Sequence, residues 1–419
     1  MTAPRDAAAD GALPATADVV VVGGGAAGLM AAIQSARRGR RTVLLEKNQR
    51  PGLKILISGG GRCNLTTTRA GADLEAQYGP RRGRFLRHAL RSFPPTALRA
   101  FVEAAGVPLQ EEDLDKLFPV SQRARDVVDA LLRVAATSGV ALCTQAGALA
   151  VERAGAAFVV TTARGAIHAS SLVLATGGLS YPKTGATGDG YAFARSLGHS
   201  LTATWPALAP LPVAEAWVRE LAGIVVHGIT LSSLDGDGRV VTARQRPVLF
   251  THFGLSGPAP MDLAGDVEEA RGAGAVRFDF APDVSADRLE AAWLVAARAH
   301  GARQIESVLP DTLPERLRRA LCQLAGGPGT LANWSRDGRR QLLAAVKELR
   351  VPVAKSRGYD HAEVTRGGVP LDEVDPRTMA SRCCPGLFVC GELLDVDGPI
   401  GGFNFQAAFA TGRLAGLSA

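Results

Sequence analysis

Apolar positions along this chain fall into short β-branched runs separated by helical periodicity. Val19–Val22 is an unbroken apolar run, the pattern of a strand buried on both faces. After three glycines, residues 26–38 read as a helix that Gly39 stops. Thr42–Leu45 reads as a second buried strand ending at Glu46. Ser171–Ala175 and Leu387–Cys390 repeat the strand pattern, followed by helices predicted over Tyr191–Leu197 and from about Phe403 to Leu414. Between them the pattern changes. Residues 199–282 carry short apolar runs ("GIVVHGITLSSL", "VVTARQRPVLFTHFG", "AVRFDF") between Gly- and Asp-rich turns, the signature of antiparallel β structure. Residues 283–350 return to a period near 3.6, with Ser285 and Ser335 as caps. The expected organisation is therefore α/β: a disordered lead-in over 1–17, a nucleotide-binding part over 18–198, an inserted β-rich domain over 199–282, a helical domain over 283–350, and a return to the first domain over 351–419.

The first glycines sharpen this. Gly23-x-Gly25-x-x-Gly28 lies between a strand and a helix, and an acid, Glu46, closes the next strand. In such a βαβ unit the first glycine permits the turn, the second admits a pyrophosphate against bare backbone, and the third lets the helix pack on the strand. The helix N-terminus offers free N–H groups to phosphate, and the acid accepts from a ribose diol, which disfavours a 2′-phosphate at this site.

Three further segments point to FAD rather than to NAD alone. "ISGGGRCN" (57–64) brings Ser58, Gly60, Gly61, Arg62, Cys63 and Asn64 close behind the first turn, with Arg62 expected on pyrophosphate and Ser58 and Asn64 on the ribityl chain or ring. "ATGG" puts Thr176, Gly177 and Gly178 at a strand end, where ligands bind in such folds. "GELLDVDGPIGGFNFQ" supplies Gly391, Glu392, Asp395, Gly401, Gly402, Phe403 and Asn404, with a helix start expected to face the ring edge and Asn404 and Gln406 to bond it. Ala26, Ala27, Lys47, Lys54 and Ala148 complete the set expected to line the cofactor.

Composition adds limits. The 419 residues are 47% hydrophobic and include 48 Gly, which suits a globular protein with many close backbone approaches. A net charge of +7 comes from 47 basic residues, only six of them Lys, and clusters such as "YGPRRGRFLRHALR" are candidates for touching phosphate. Six cysteines show neither C-x-x-C pairing nor zinc spacing, so no metal is expected, and the pattern suits a reducing cytoplasm. No apolar run is long enough for a membrane span, and no secretory signal opens the chain. Nothing in the pattern points to DNA.

The segments "VVGGGAAGLMAA", "KILISGGGRCNLT", "ATGGLSYPKTGATGDGY", "LFTHFGLSGPA" and "GELLDVDGPIGGFNFQAAFATG" together resemble the BaiN/RdsA (YhiN-type, aminoacetone-oxidase-like) family of flavoproteins. The resemblance implies a glutathione-reductase-like FAD domain with inserted β and helical domains. It also implies reduction of activated carbon–carbon double bonds or oxidation of a small metabolite, on substrates that include dehydro bile acids or a uridine of ribosomal RNA. Phe403, Phe405 and Ala408 depart from the residues usual at these places, which leaves the substrate wall open. With a single dinucleotide fingerprint, NAD(P)H is expected only as a transient electron donor. Hydride delivery calls for a proton donor opposite, and His252, Tyr181 and Cys63 are the candidates.

Overall fold

A computed structural model of the chain describes residues 13–419. Most of the predicted lead-in (1–12) lies outside them. Its last residues do not belong to a lead-in, because the first strand, β1, already begins at Thr16 and runs to Val22. The helix α1 (Ala26–Arg37) and the strand β2 (Thr42–Leu45) follow as the pattern predicts, with Gly39 at φ +81° ending the helix.

The Rossmann-type sheet is built on parallel pairs. β1 lies between β2 and the strand β3 (Gly165–Leu174), and Ala141–Cys143 flanks β2. β3 is twice the predicted length. Its second half, Leu172–Leu174, pairs in parallel with β4 (Leu387–Val389), while its first half forms a hairpin with Ala157–Thr162. The C-terminal strand is thereby placed beside strands that precede it by more than two hundred residues. Val22, Leu174 and Val389 stand side by side at the carboxyl edge. Four segments leave this edge: the first glycine turn, the helical segment α2 (Leu53–Gly61), the loop leading to α3 (Asp189–Ser196), and the loop leading to the C-terminal helix α4 (Phe403–Ser418).

The chain divides into two compact units, one comprising Glu363–Ala419 with everything up to Thr204, the other Trp205–Ala362. The second unit holds the predicted antiparallel strands, among them Thr230–Leu234 between Val240–Arg244 and Ala275–Asp279. Helices Ala286–Ala299 and Arg336–Lys347 begin with side-chain caps from Ser285 and Ser335. These helices do not form a domain of their own. Trp293, Leu317 and Leu342 share one buried core with Val276 and Phe278, and the strand Leu349–Pro352 joins the same sheet. Each helix buries its apolar face against the sheet, so the two layers form one core.

Candidate active site

Three glycines of the first turn do three different things. At Gly23 (φ +107°) a Cβ would lie 2.5 Å from the Ala175 carbonyl oxygen, and at Gly28 it would lie 1.8 Å from that of Gly23. Both are demanded by packing of the turn and helix onto the strands. At Gly25 a Cβ would meet nothing within 4 Å. Gly25 is also the N-cap of α1 and offers no side chain to the helix N–H groups, while Ala26 and Ala27 are buried in the first turn. The N-terminus is left free for an anion. Glu46 is buried at the end of β2 and accepts from Gly24 N–H (2.9 Å), Asn48 N–H (2.8 Å) and the Asn48 amide (2.8 Å). These three donors leave Oε2 with a free acceptor position for a ribose hydroxyl. Gln145 and Ala146 bond back to Asn48 and Glu46, so the segment entering Ala148 lies along the same rim. Lys47 reaches across to Asp189 (2.7 Å) and Thr187 at the start of α3.

Only the first turns of α2 are helical. Ser58 breaks out at ψ 148°, Gly59, Gly60 and Gly61 take φ of +56°, +69° and +84°, and Cys63, a non-glycine residue, is held at +64°. Gly60 and Gly61 present open backbone, as does Gly177 (φ +77°) across the edge. Gly59, by contrast, is closed in by Asn64 and Phe118. Bare backbone at Gly25, Gly60, Gly61 and Gly177, set among packed glycines, fits a long, flat, phosphate-bearing cofactor, and FAD is such a group.

The side chains of this loop are placed differently from the sequence expectation. Arg62 does not turn to the phosphates. Its guanidinium bonds Glu112 (2.9 Å) and Gln122 (2.9 Å) and stacks over Phe118, 4.2 Å from the ring centre. An acid within reach claims the fork that was expected on pyrophosphate. Ser58 donates to the Ile55 carbonyl (2.8 Å). Asn64, with its amide set to satisfy both neighbours, accepts from Gly402 N–H (3.0 Å) and donates to Thr66 O (3.1 Å), joining this loop to the start of α4. Asn404 bonds both the N–H and the carbonyl of Gly398 and pins its own loop. Gln406 is fully buried between Thr66 and Phe93 and faces no cleft. Phe403 is buried edge-on to Tyr78, and at Gly402 a Cβ would lie 2.4 Å from Thr66 O. Asp395 lies buried with Asp397 in a cluster with Arg82 (3.1 and 3.0 Å), and Arg366 also reaches Asp397 (3.1 Å). Gly401 (φ +133°) supplies the turn from this cluster to the helix.

A polar network the sequence did not announce lies between α2, β3 and β4. Lys54 Nζ donates to Ser180 Oγ (2.7 Å) and Glu392 Oε2 (2.8 Å), and Ser180 Oγ donates to Glu392 Oε1 (2.8 Å). Thr365 donates its N–H to Glu392 Oε1 (2.9 Å), and its hydroxyl accepts from the N–H groups of Leu179 and Ser180. Gly178 is required here, because a Cβ would lie 2.5 Å from Thr365 Oγ1, and Thr176 is fixed against Gly190 of α3. Gly391, at φ +72°, sits against Ala27 of α1. Lys54 and Glu392 were expected singly; Ser180 and Thr365 were not, and the glycines beside them were the only local signal.

Tyr181 follows Ser180 directly, at φ +50°, half-buried. Burial and then the Glu363 carboxylate hold its phenol above the usual tyrosine range. Cys63 is fully buried, and burial pushes its thiol up to about 12 against a partial offset from Ser58. His252 belongs to the second unit, exposed at the tip of the hairpin after Val248–Thr251 and edge-on to Phe253.

His199, Glu373 and Cys383 place ligand-type atoms within 4.8 Å of one another. Hydrogen bonds account for the arrangement without an ion. His199 Nδ1 is 2.8 Å from Glu373 and Nε2 2.7 Å from Ser381 Oγ, which accepts from Cys383 and Cys384 N–H (3.1 and 2.9 Å). With both Ser381 lone pairs filled, its proton goes to Nε2, and Nδ1–H is left to donate to Glu373. Of the six cysteines only Cys383 is exposed. Brief alkylation of the native protein at pH 8, read by mass spectrometry, is expected to label Cys383 and spare Cys63; equal labelling of Cys63 would place that thiol at the surface.

Residues 17–418 match the HI0933-like protein Rossmann domain family. The chain is 32% identical over 400 residues to a ribosomal RNA dihydrouridine synthase of Escherichia coli (strain K12), covering 94% of this chain and 96% of that protein. It is 31% identical over 412 residues to a 3-dehydro-bile acid delta(4,6)-reductase of Clostridium scindens, covering 95% and 98%. Among solved structures, 3-ketosteroid-delta4-(5alpha)-dehydrogenase from Rhodococcus jostii RHA1, in complex with 4-androstene-3,17-dione, is alike in fold at a TM-score of 0.50, with 17% identity and 99% of each chain covered. No helix among the described residues is long and apolar enough to cross a membrane.

Proposed function

Since this chain belongs to the HI0933-like Rossmann family, we propose that it is an FAD-dependent oxidoreductase that reduces an activated carbon–carbon double bond, with NAD(P)H as a transient electron donor. The observation that carries this reading is the open backbone of Gly25, Gly60 and Gly177 beside the carboxyl edge, where the C-terminal strand β4 joins the sheet. The α1 N-terminus would hold the pyrophosphate, Glu46 a ribose, and the loops at Gly60–Gly61 and Gly177 the remainder. Bound there, FAD supplies two-electron hydride chemistry.

The chain must add a proton. Tyr181 suits this best: its phenol stays protonated at neutral pH, and the strained backbone at φ +50° is fixed by Thr184, which donates to its carbonyl (2.8 Å). Cys63 is enclosed by packing, and the buried thiol has no route to a substrate. The test is anaerobic. Purified protein should be yellow, NADH or NADPH should bleach it, and an enone or uridine-containing acceptor should restore the colour. Tyr181→Phe should keep its FAD and lose roughly 10²-fold or more in kcat. A colourless protein ends the flavin reading; a Tyr181→Phe enzyme as fast as wild type moves the proton donor elsewhere.

A second reading has support of its own. The Escherichia coli relative is named for ribosomal RNA, and the chain is basic, with a pI near 9.3. Against a broad phosphate-binding face, the exposed arginines Arg87 and Arg91 of helix Gly79–Ser92 are paired to Glu75, and Arg81 approaches Asp372 and Asp395. An RNA-modifying enzyme would show affinity for its RNA that falls steeply with salt. No binding at low salt would remove this reading.

A further inference from the structure

We infer that Lys54 is a charge-setting residue for the redox end of the cofactor, held for that purpose by Ser180 and Glu392. The inference rests on the FAD reading above and goes beyond it, since the glycine groove explains binding but not potential.

Three facts carry it. The first is place. Lys54 lies one residue into α2, just after Gly52, whose N–H bonds the Gly24 carbonyl of the first turn (2.9 Å). Ser180 follows the end of β3 and Glu392 the end of β4, and these strands are neighbours in the sheet. The ammonium thus bridges the segments that leave the ends of β3 and β4 at the carboxyl edge, where ligands bind in such folds.

The second is satisfaction. Glu392 takes three donors, from Lys54, Ser180 and Thr365, so its charge is enclosed on both oxygens. Lys54 has three N–H bonds to give, and two go to Ser180 and Glu392. The third is left to a partner in the groove. The pair therefore presents its positive member and shields its negative one.

The third is burial. Only 24% of the Lys54 side chain and 17% of the Glu392 side chain are exposed, and Ser180 is fully buried. Solvent screening, which reduces surface pairs to little, is weak here. A fixed cation beside a group that gains negative charge on reduction stabilises the reduced form.

The sign of the effect is the test. FAD-loaded wild type, Lys54→Met, Lys54→Arg and Glu392→Gln are titrated against a redox dye, and the midpoint of the two-electron couple is read from the flavin absorbance. Removing the cation exposes Glu392 and should disfavour reduction about tenfold in the equilibrium constant, close to 30 mV. Removing the anion should shift it by a similar factor in the opposite direction. Lys54→Arg, which keeps the charge, should stay within about twofold of wild type. Should Lys54→Met not fold, a midpoint raised in Glu392→Gln while Lys54→Arg stays at the wild-type value decides the matter. Shifts of the same sign in both charge-removing variants, or none in Glu392→Gln, overturn the inference while leaving the FAD reading intact. A wild-type chain that never takes up FAD overturns both.

Discussion

Gly25→Asp is expected to yield a protein that folds as wild type does and purifies without cofactor. The backbone at Gly25 (φ −83°, ψ −169°) is ordinary extended conformation, and a Cβ there meets nothing within 4 Å. No strain and no clash accompany the new side chain. Aspartate is moreover a preferred N-cap, so it would accept from the free N–H groups of α1 and, relative to glycine, add a few tenths of a kcal/mol to the helix. The same contact removes the anion site. The carboxylate occupies the donors that phosphate needs and adds a negative charge where two more must come. Cofactor affinity should fall at least 100-fold, about 2.7 kcal/mol, while the melting temperature of the cofactor-free protein stays level or rises. Flavin absorbance and thermal unfolding, measured on one preparation, check both halves. A yellow Gly25→Asp protein would mean that the groove beside α1 is not where the pyrophosphate lies.

What the sequence made legible follows from what is local. α1 and β2 appear within a residue of their predicted limits, and β1 starts three residues before its predicted run, because an apolar run, helical spacing and Gly39 act over a few positions each. β3 was half-read for the same reason. Its second half is a continuous buried run, Ser171–Leu174. Its first half alternates, with Ile167 and Ala169 buried and His168 and Ser170 exposed, as one edge of a hairpin does. Two periods in one strand look like two features until the partners are known.

The site was legible in its backbone and less so in its side chains. Glycine spacing reports local turn geometry, so the turns at 23–28, 59–61 and 177–178 could be read directly. The partner of a charged side chain is set by tertiary contact. Arg62 meets Glu112, fifty positions on, and Asp395 meets Arg82, more than three hundred positions back. Nothing periodic links such pairs. Ser180 and Thr365 escaped for the related reason that a lone hydroxyl carries no pattern, although together they organise Lys54 and Glu392.

Gly412→Val is expected to have the largest effect on stability, and it acts through two helices that no short motif connects. On α4, Gly412 and Gly416 stand one turn apart; facing them on α1 stand Ala27 and Ala31, also one turn apart. A Cβ at Gly412 would lie 2.2 Å from the Ala27 carbonyl oxygen and 2.9 Å from its Cα, and one at Gly416 would lie 2.2 Å from the Ala31 carbonyl oxygen. These are backbone atoms of a fully hydrogen-bonded helix, so nothing can rotate aside. Valine would force the helices apart along an interface whose facing residues Ala27, Ala31, Gly412 and Gly416 are all buried. Overpacking of this kind costs on the order of 3 kcal/mol, which for a unit of this size lowers the melting temperature by roughly 6–12 °C. The damage reaches the site as well. Ala27 also backs Gly391, and the α1 N-terminus is where the proposed cofactor would place its phosphates. Displacement of α1 should therefore weaken FAD retention in any Gly412→Val protein that still folds, whereas Arg413→Ala, one position on and only partly buried, with its guanidinium over Phe93 and on the Ser92 carbonyl, removes surface contacts without moving α1 and should leave both properties far closer to wild type. Melting temperature and bound flavin of the two variants, compared side by side, test the argument. A Gly412→Val protein as stable and as yellow as Arg413→Ala would show that α1 and α4 do not pack at this distance.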